Sequence, residues 1–248
     1  MRIITNADDL GASPAVNEAV FGLIADGLVT SATVLANGPA VAEACGRLRQ
    51  FPRCSFGAHL NLTEFKPLSG SLGLGVLLNS GGCFNGRIRE VKGLHRLGKS
   101  LFAEFCAQIE LLLSIGVKIS HLDSHHHVHT IPTLFPVLKA VQRKYGIRRV
   151  RISLNLYPAT GQPSRRLLWQ KRVFNVVLRS WFNTKTTEVF TDLATFCEKR
   201  HELAARDRSV EIMLHPGAGN SDGETAALRS LAASDPTFKG RLISFWDL

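Results

Sequence analysis

The first sixty residues alternate between two kinds of segment, and this most restricts what the chain can become. Arg2 to Ala7 is a short β-branched run. Ser13-Pro14 opens a helix that reaches about Asp26, Leu28 to Ala36 is a second strand, Pro39 to Gln50 a second helix, and Ser55 to Leu62 a third strand. Ser13 suits an N-cap, Pro14 the first helical position, where its missing N–H costs nothing, and Gly27 the stop. Strand–helix alternation predicts a parallel α/β architecture. The pattern resumes after a glycine-rich stretch at 63–99, a loop long enough to be functional. Helices are predicted at 100–115, 133–145, 165–182, 192–206 and 222–233. Strands are predicted at Val117 to Leu122, Arg148 to Leu154, Val210 to Leu214 and Leu242 to Phe245. Strands alternating with helices in this number favour a barrel of parallel strands over an open sheet, although pattern alone leaves both standing.

Composition narrows the classes. With 45% hydrophobic and 20% charged residues among 248, the chain is neither disordered nor fibrous. Thirty Lys and Arg against twenty Asp and Glu leave a net charge of +10, which favours acidic partners such as nucleic acid, anionic lipid or a phosphorylated substrate. Five scattered cysteines without a C-x-x-C argue against a disulfide framework or zinc ribbon and for a reducing compartment. Two carboxylates precede any long apolar run, against a signal peptide. No run approaches the roughly 20 apolar residues of a membrane span. A cytoplasmic protein is expected.

Four sites carry chemistry, each at the C-terminal end of a predicted strand, where parallel α/β folds place their active sites. They are Asp8-Asp9 after the first strand, His59 at the third, the run HLDSHHHVH at 121–129, and His215 after Val210 to Leu214. An aspartate pair is often only a helix cap with a solvated neighbour, and a lone histidine is more often core. Five histidines within nine residues, directly following an apolar strand, are not an ordinary surface tract. If the strand continued, 121, 123, 125, 127 and 129 would share one face. Imidazole with carboxylate suits Zn²⁺ and other divalent transition metals better than Ca²⁺. A metal on two histidines and one aspartate leaves room for water and substrate, a further carboxylate can serve as base, and a free histidine as acid. Metal-assisted hydrolysis is the reaction class. His95 and His201 read as structural or solvated.

These residues resemble the YdjC-like carbohydrate deacetylases. The matching segments are NADDLG at 6–11, VTSATVLANG at 29–38, GAHLNLT at 57–63, SHLDSHHHVH at 120–129 and EIMLHPG at 211–217. They follow the family's order and span nearly the whole chain, as one domain over residues 1–248. The resemblance implies a distorted TIM-barrel-like (β/α) barrel that removes an acetyl group from an N-acetylated sugar. It implies Asp9, His59 and His125 as ligands of one divalent metal, Asp8 as the base and His215 as the acid. His121, Asp123 and His127 would support the ligands or touch substrate, and Arg151 would meet the sugar. The resemblance favours Mg²⁺ and the ligand types Zn²⁺, so the metal stays open between them. Two departures bear on the substrate pocket. Phe65 stands where relatives often carry glycine before Lys66-Pro67, and segment 183–192 lacks an expected aspartate–histidine step. Metal-dependent phosphoester hydrolysis and a non-enzymatic metal- or polyanion-binding module remain as alternatives.

Between Ser124 and Thr187 there is no acid, while twelve Lys and Arg lie within it. The segment 165–182 mixes such cations with Leu168, Phe174, Val177, Leu178 and Trp181. An ordinary barrel helix would turn its apolar stripe inward. A basic amphipathic helix on anionic membrane is the sharper reading, and would suit a lipid-linked amino sugar. No nucleic-acid motif accompanies the charge, so nucleic acid is not expected. The sequence leaves the oligomeric state open, a homodimer included.

Overall fold

The structure is a computed structural model and describes residues 1–70, 73–204, 208–219 and 222–248. Its parallel sheet contains β1 (Arg2–Leu10), β2 (Ser31–Val34), β3 (Ser55–Leu60), β4 (Ile119–Ser124), β5 (Val189–Asp192) and β6 (Ser209–Leu214), in the order β4-β3-β2-β1-β6-β5. The helices are α1 (Pro14–Ala25), α2 (Val41–Arg47), α3 (Gly98–Ser114), α4 (Phe135–Tyr145), α5 (Arg165–Ser180), α6 (Leu193–Ala204) and α7 (Asp222–Ser234). Helices cover the strands, so β1 is buried along all but its first residue, as expected for a parallel sheet with both faces enclosed. Ile3, Ala7 and Leu10 of β1 join Val20 and Phe21 of α1 in one apolar core. Ser13 caps α1 by accepting from the Val16 N–H at 3.2 Å, with Pro14 next, and Gly27 follows the helix at φ 67°.

The α/β class and the parallel strands are as the sequence predicts, but three strand assignments differ. Arg148 to Leu154 is not a strand of the sheet. It is extended backbone that bonds β4 through Leu122 N–H to Arg149 O and Arg151 N–H to Leu122 O, both at 3.0 Å, and then reaches β5 through Asn155 N–H to Phe190 O at 3.4 Å. The regular ladder is therefore interrupted between β4 and β5, and this segment spans the gap of a distorted barrel. A side chain explains the interruption: Asn175 of α5 takes both backbone groups of Ser153, at 2.8 and 3.0 Å, which a ladder would otherwise use. Leu242 to Phe245 contributes only an isolated bridge, Leu242 to Ile3, before a capped turn at Ser244. β5 (Val189–Asp192) is absent from the sequence expectation: it is only four residues long, falls between the helices expected at 165–182 and 192–206, and shares Asp192 with the second. The expected end of that helix, near 206, lies outside the described residues.

The histidine tract also departs from a strand. β4 stops at Ser124, and 125–130 turn as 3-10 backbone with His126 and His127 at φ 49° and 54°. The Ser124 hydroxyl accepts from the His129 N–H at 2.9 Å and folds the tract back on itself. The period of two therefore ends at Asp123.

Candidate functional site

Asp8 and Asp9 lie within β1 rather than after it. Neighbouring strand residues normally point to opposite faces. Here the pairing of β1 with β2 slips between Ala7 and Leu10, and Asp9 takes φ 65°. A bulge of this kind re-aims side chains, and aspartate is among the few non-glycine residues that visit the left-handed region readily. Both carboxylates reach the same end of the sheet. Register supplies the rest. Ala7 pairs with Leu214 of β6, so Asp8 and His215 are the next residues on adjacent strands, and His59 pairs with Asp123 across β3 and β4.

Asp9 Oδ1 lies 3.2 Å from His59 Nε2 and 2.8 Å from His125 Nδ1. The other His59 nitrogen, Nδ1, donates to Asp123 Oδ1 at 2.7 Å, and the Thr33 hydroxyl donates to Asp123 Oδ2 at 3.1 Å. A carboxylate thus fixes the ring and leaves Nε2 toward Asp9, the arrangement that orients metal-binding histidines. His125 Nε2 is buried without a hydrogen-bond partner; the nearest acidic atom is Glu64 Oε1 at 3.5 Å. One donor atom from each of Asp9, His59 and His125 lies within 4.8 Å of the others. Overlapping sets are Asp8, His59 and Asp123, and Glu64, His125 and His126.

Charge makes the same point. Burial alone would raise the Asp9 carboxyl, but hydrogen bonds from His125 and His59 hold it well below the usual carboxylate range. Burial depresses the His59 imidazolium, yet the charge and hydrogen bond of Asp123, aided by Asp9, raise it to about 10. Asp8, Asp123 and Glu211 surround one guanidinium, that of Arg151. Burial raises Glu211 to about 7, and with its proton in place two ionised carboxylates, Asp8 and Asp123, face Arg151. One ionised carboxylate between two imidazoles is a donor set for a dication, which would also give the orphaned His125 nitrogen a partner. The residues fit a bound divalent metal.

Asp8 is placed differently. Arg151 donates from Nη1 and Nη2 to its two oxygens, each at 2.6 Å, and from Nε to Glu211 Oε1 at 2.6 Å; Nη1 also lies 2.8 Å from Asp123 Oδ2. Arg151 is fully buried, so its fork is taken up inside the protein. Burial would raise Asp8, but Arg151 outweighs it and keeps the carboxyl well below its ordinary range. His215 faces Asp8 from β6, Nε2 to Oδ2 at 3.9 Å, and is 41% exposed. Its backbone N–H donates to Glu224 at 2.6 Å. Gly217 closes the turn at φ 76°, and a Cβ there would lie 2.7 Å from Ala15 O, so the turn that aims His215 requires glycine.

The remaining candidates divide. His127 borders the site, edge-on to Phe190; burial and Arg151 depress it to about 3, so it is a neutral ring with Nδ1 unpartnered. His121 stacks on Phe245 at 3.5 Å, where a Cβ on Gly57 would lie 2.5 Å from its ring; its contacts are those of a core residue. Sequence reasoning missed Thr33 and Glu211, and named His129 within the histidine run without a role of its own. His129 pairs with the Arg151 carbonyl at 3.1 Å and so braces the segment that carries the guanidinium. A glutamate in the middle of an apolar strand is the signal that could have found Glu211. Phe65 lies at φ 61°, a backbone region natural to the glycine that relatives often place there.

A family model described as YdjC-like protein matches residues 2–238. A carbohydrate deacetylase of Geobacillus stearothermophilus is 39% identical over 150 residues, which cover 60% of this chain and 59% of that one. The chain thus spans under two thirds of that relative's length. A carbohydrate deacetylase of Halalkalibacterium halodurans is 32% identical over 218 residues, 87% of this chain and 85% of its own. A crystal structure from Enterococcus faecalis V583, of a protein named for cellobiose-phosphate cleavage, superposes with a TM-score of 0.77 over 99% of this chain and 97% of that one, at 22% identity. That likeness concerns the fold.

Proposed function

The chain belongs to the YdjC-like family, and on that premise we propose that it is a metal-dependent hydrolase that removes the acetyl group from an N-acetylated amino sugar, free or carried on lipid. The observation that carries this reading is the separation of two adjacent aspartates: Asp9 faces His59 and His125, while Asp8 faces Arg151 and His215. In this reading one carboxylate holds a cation and the other handles a proton.

Asp9, His59 and His125 would hold the metal, Mg²⁺ or Zn²⁺. Bound there, a dication supplies Lewis acidity toward a carbonyl and lowers the pKa of a water. Asp8, kept ionised by Arg151, accepts the proton of the attacking water. Its basicity is low, so it suits a water already acidified. The water oxygen bonds to the acetyl carbon, the C–N bond breaks, and acetate leaves. The amine nitrogen is a poor leaving group until protonated, and His215, across from Asp8, delivers that proton. Asp123 and Thr33 keep the His59 ring in place. His127, neutral and at the edge of the site, offers a nitrogen to the sugar.

The reading is tested by acetate release from a panel of N-acetylated amino sugars, before and after chelation and with Mg²⁺ or Zn²⁺ restored. Metal-dependent acetate release is expected. Phosphate release from sugar phosphates without acetate release from any N-acetyl sugar would overturn it.

A further inference from the structure

Helix α5 carries apolar residues on the side that faces solvent. Of its 16 residues only Asn175 and Leu178 are buried. Leu167, Trp169, Val173, Val176 and Val177 are 39–65% exposed, as is Trp181 just beyond the helix at 54%. Trp169, Val173, Val176 and Ser180 follow the three-to-four spacing of one helical face. The inward contacts are instead partly polar: Asn175 bonds Ser153, and Lys139 Nζ donates to the carbonyls of Leu178 and Trp181 at 2.9 and 3.0 Å. A wall helix of an α/β fold ordinarily turns such a stripe to the core, and a contiguous exposed apolar patch marks an interaction surface.

Charge selects the partner. Arg165, Arg166 and Arg172 flank the stripe, are exposed, and make no hydrogen bond or ion pair with the described residues. No acid lies between 124 and 187. A second copy meeting this face through a two-fold axis would bring the same arginines together without a compensating carboxylate. An anionic bilayer meets both requirements, phosphates for the arginines and acyl chains for the tryptophan and valines. We propose that the outer face of α5 seats the protein on an anionic membrane surface, with Trp169 and Trp181 at the depth of the lipid headgroups. A groove of about 470 Å³ runs beside α5, between Trp169 and Val173 on one side and Arg89, Thr130 and Ser153 on the other. Arg89 also donates to the His126 carbonyl at 3.1 Å, so the docking face adjoins the rim of the candidate site.

The test is co-sedimentation of the full chain with vesicles of phosphatidylcholine, alone or containing phosphatidylglycerol. Binding is expected only to the anionic vesicles, at low salt, with release at high salt. In W169S/V173S/V176S the net charge is unchanged and binding should fall at least tenfold. In R165Q/R166Q/R172Q it should fall about a hundredfold, each cation near the surface contributing roughly fivefold. Both triples change exposed side chains, and thermal melts verify that each variant is folded. In a W181F/W246F background Trp169 is the remaining tryptophan, and its emission should shift to the blue on anionic vesicles. Wild-type protein left in the supernatant with anionic vesicles at low salt would overturn the proposal. So would undiminished binding by the apolar triple, since diffuse basic charge would then suffice. Neither readout uses turnover, so the outcome is independent of the deacetylase reading.

Discussion

Arg151 grips Asp8 with both terminal nitrogens, each 2.6 Å from a different carboxylate oxygen, at a point where neither side chain is more than 2% exposed. A planar fork fixes the direction of a carboxylate as well as its charge, and lysine cannot reproduce that. The pair sets when Asp8 is ionised and where it points.

Arg151→Lys should therefore lower kcat for deacetylation by about tenfold to a hundredfold while bound metal is retained. The pH profile supplies the sharper readout. Arg151 now holds the Asp8 carboxyl well below its ordinary range. Weakening that hold raises its pKa, so the acidic limb of the kcat profile should move to higher pH. A variant whose limb stays in place would show that the pair is structural only.

The two aspartates should separate in experiment as they do in space. Asp8→Asn should keep metal and lose about 10²–10⁴ in rate, the usual loss on removing a general base. Asp9→Asn should weaken metal binding itself, because Asp9 Oδ1 lies within 3.2 Å of nitrogen atoms on both candidate ligand histidines. Metal analysis by mass spectrometry and an acetate assay on the same samples decide the matter. Equal metal loss in both variants would return the pair to a single role.

How much of this is legible in the sequence follows from which rules are local. The caps of α1 are read from Ser13, Pro14 and Gly27, and the strand-end position of His59 from hydrophobic pattern. The bulge at Asp9 is not local: it arises from a slip against β2 and reverses the alternation that the sequence would suggest. The turn after Ser124 depends on a hydroxyl meeting a backbone N–H five residues on, so a strand period carried past Asp123 misplaces the later histidines. The family resemblance points Arg151 toward the sugar, whereas its guanidinium is held among carboxylates. Those carboxylates come from β1, β4 and β6, strands far apart in the chain, and no spacing rule brings them together.

Phe65 tests whether a departure from the family pattern carries a cost. Its φ of 61° places a bulky residue in the left-handed region, a strain of about 1–3 kcal/mol. Glycine would relieve that strain but add roughly 0.5–1 kcal/mol of unfolded-state freedom. Phe65→Gly should accordingly be neutral to stabilising by about 1 kcal/mol in thermal or urea unfolding. A clear destabilisation would mean that the half-buried ring contributes more through contacts than its backbone loses.

Glu211 should give the protein a stability that declines between mildly acidic and mildly basic pH. It is fully buried in the middle of β6, and only one of its oxygens is bonded, to Arg151 Nε. Burial raises its pKa from 4.5 to about 7, against the pull of Arg151. The folded protein therefore keeps a proton that the unfolded chain gives up. The stabilisation is complete below pH 4.5 and is lost as pH rises through 7, by an amount on the order of 3 kcal/mol. The substitution Glu211→Gln keeps an acceptor for Arg151 and removes the ionisable group. Wild type should lose about 5–10 °C more than the variant in thermal midpoint between roughly pH 5 and pH 8. His59, raised to about 10, also contributes stability that declines as pH rises, but its slope is common to both proteins and cancels in the difference. The depressed carboxyls of Asp8 and Asp9 matter only at pH values well below this window. Parallel curves for the two proteins would mean that Glu211 is ionised throughout, and that Arg151 carries a third negative partner without a proton to relieve it.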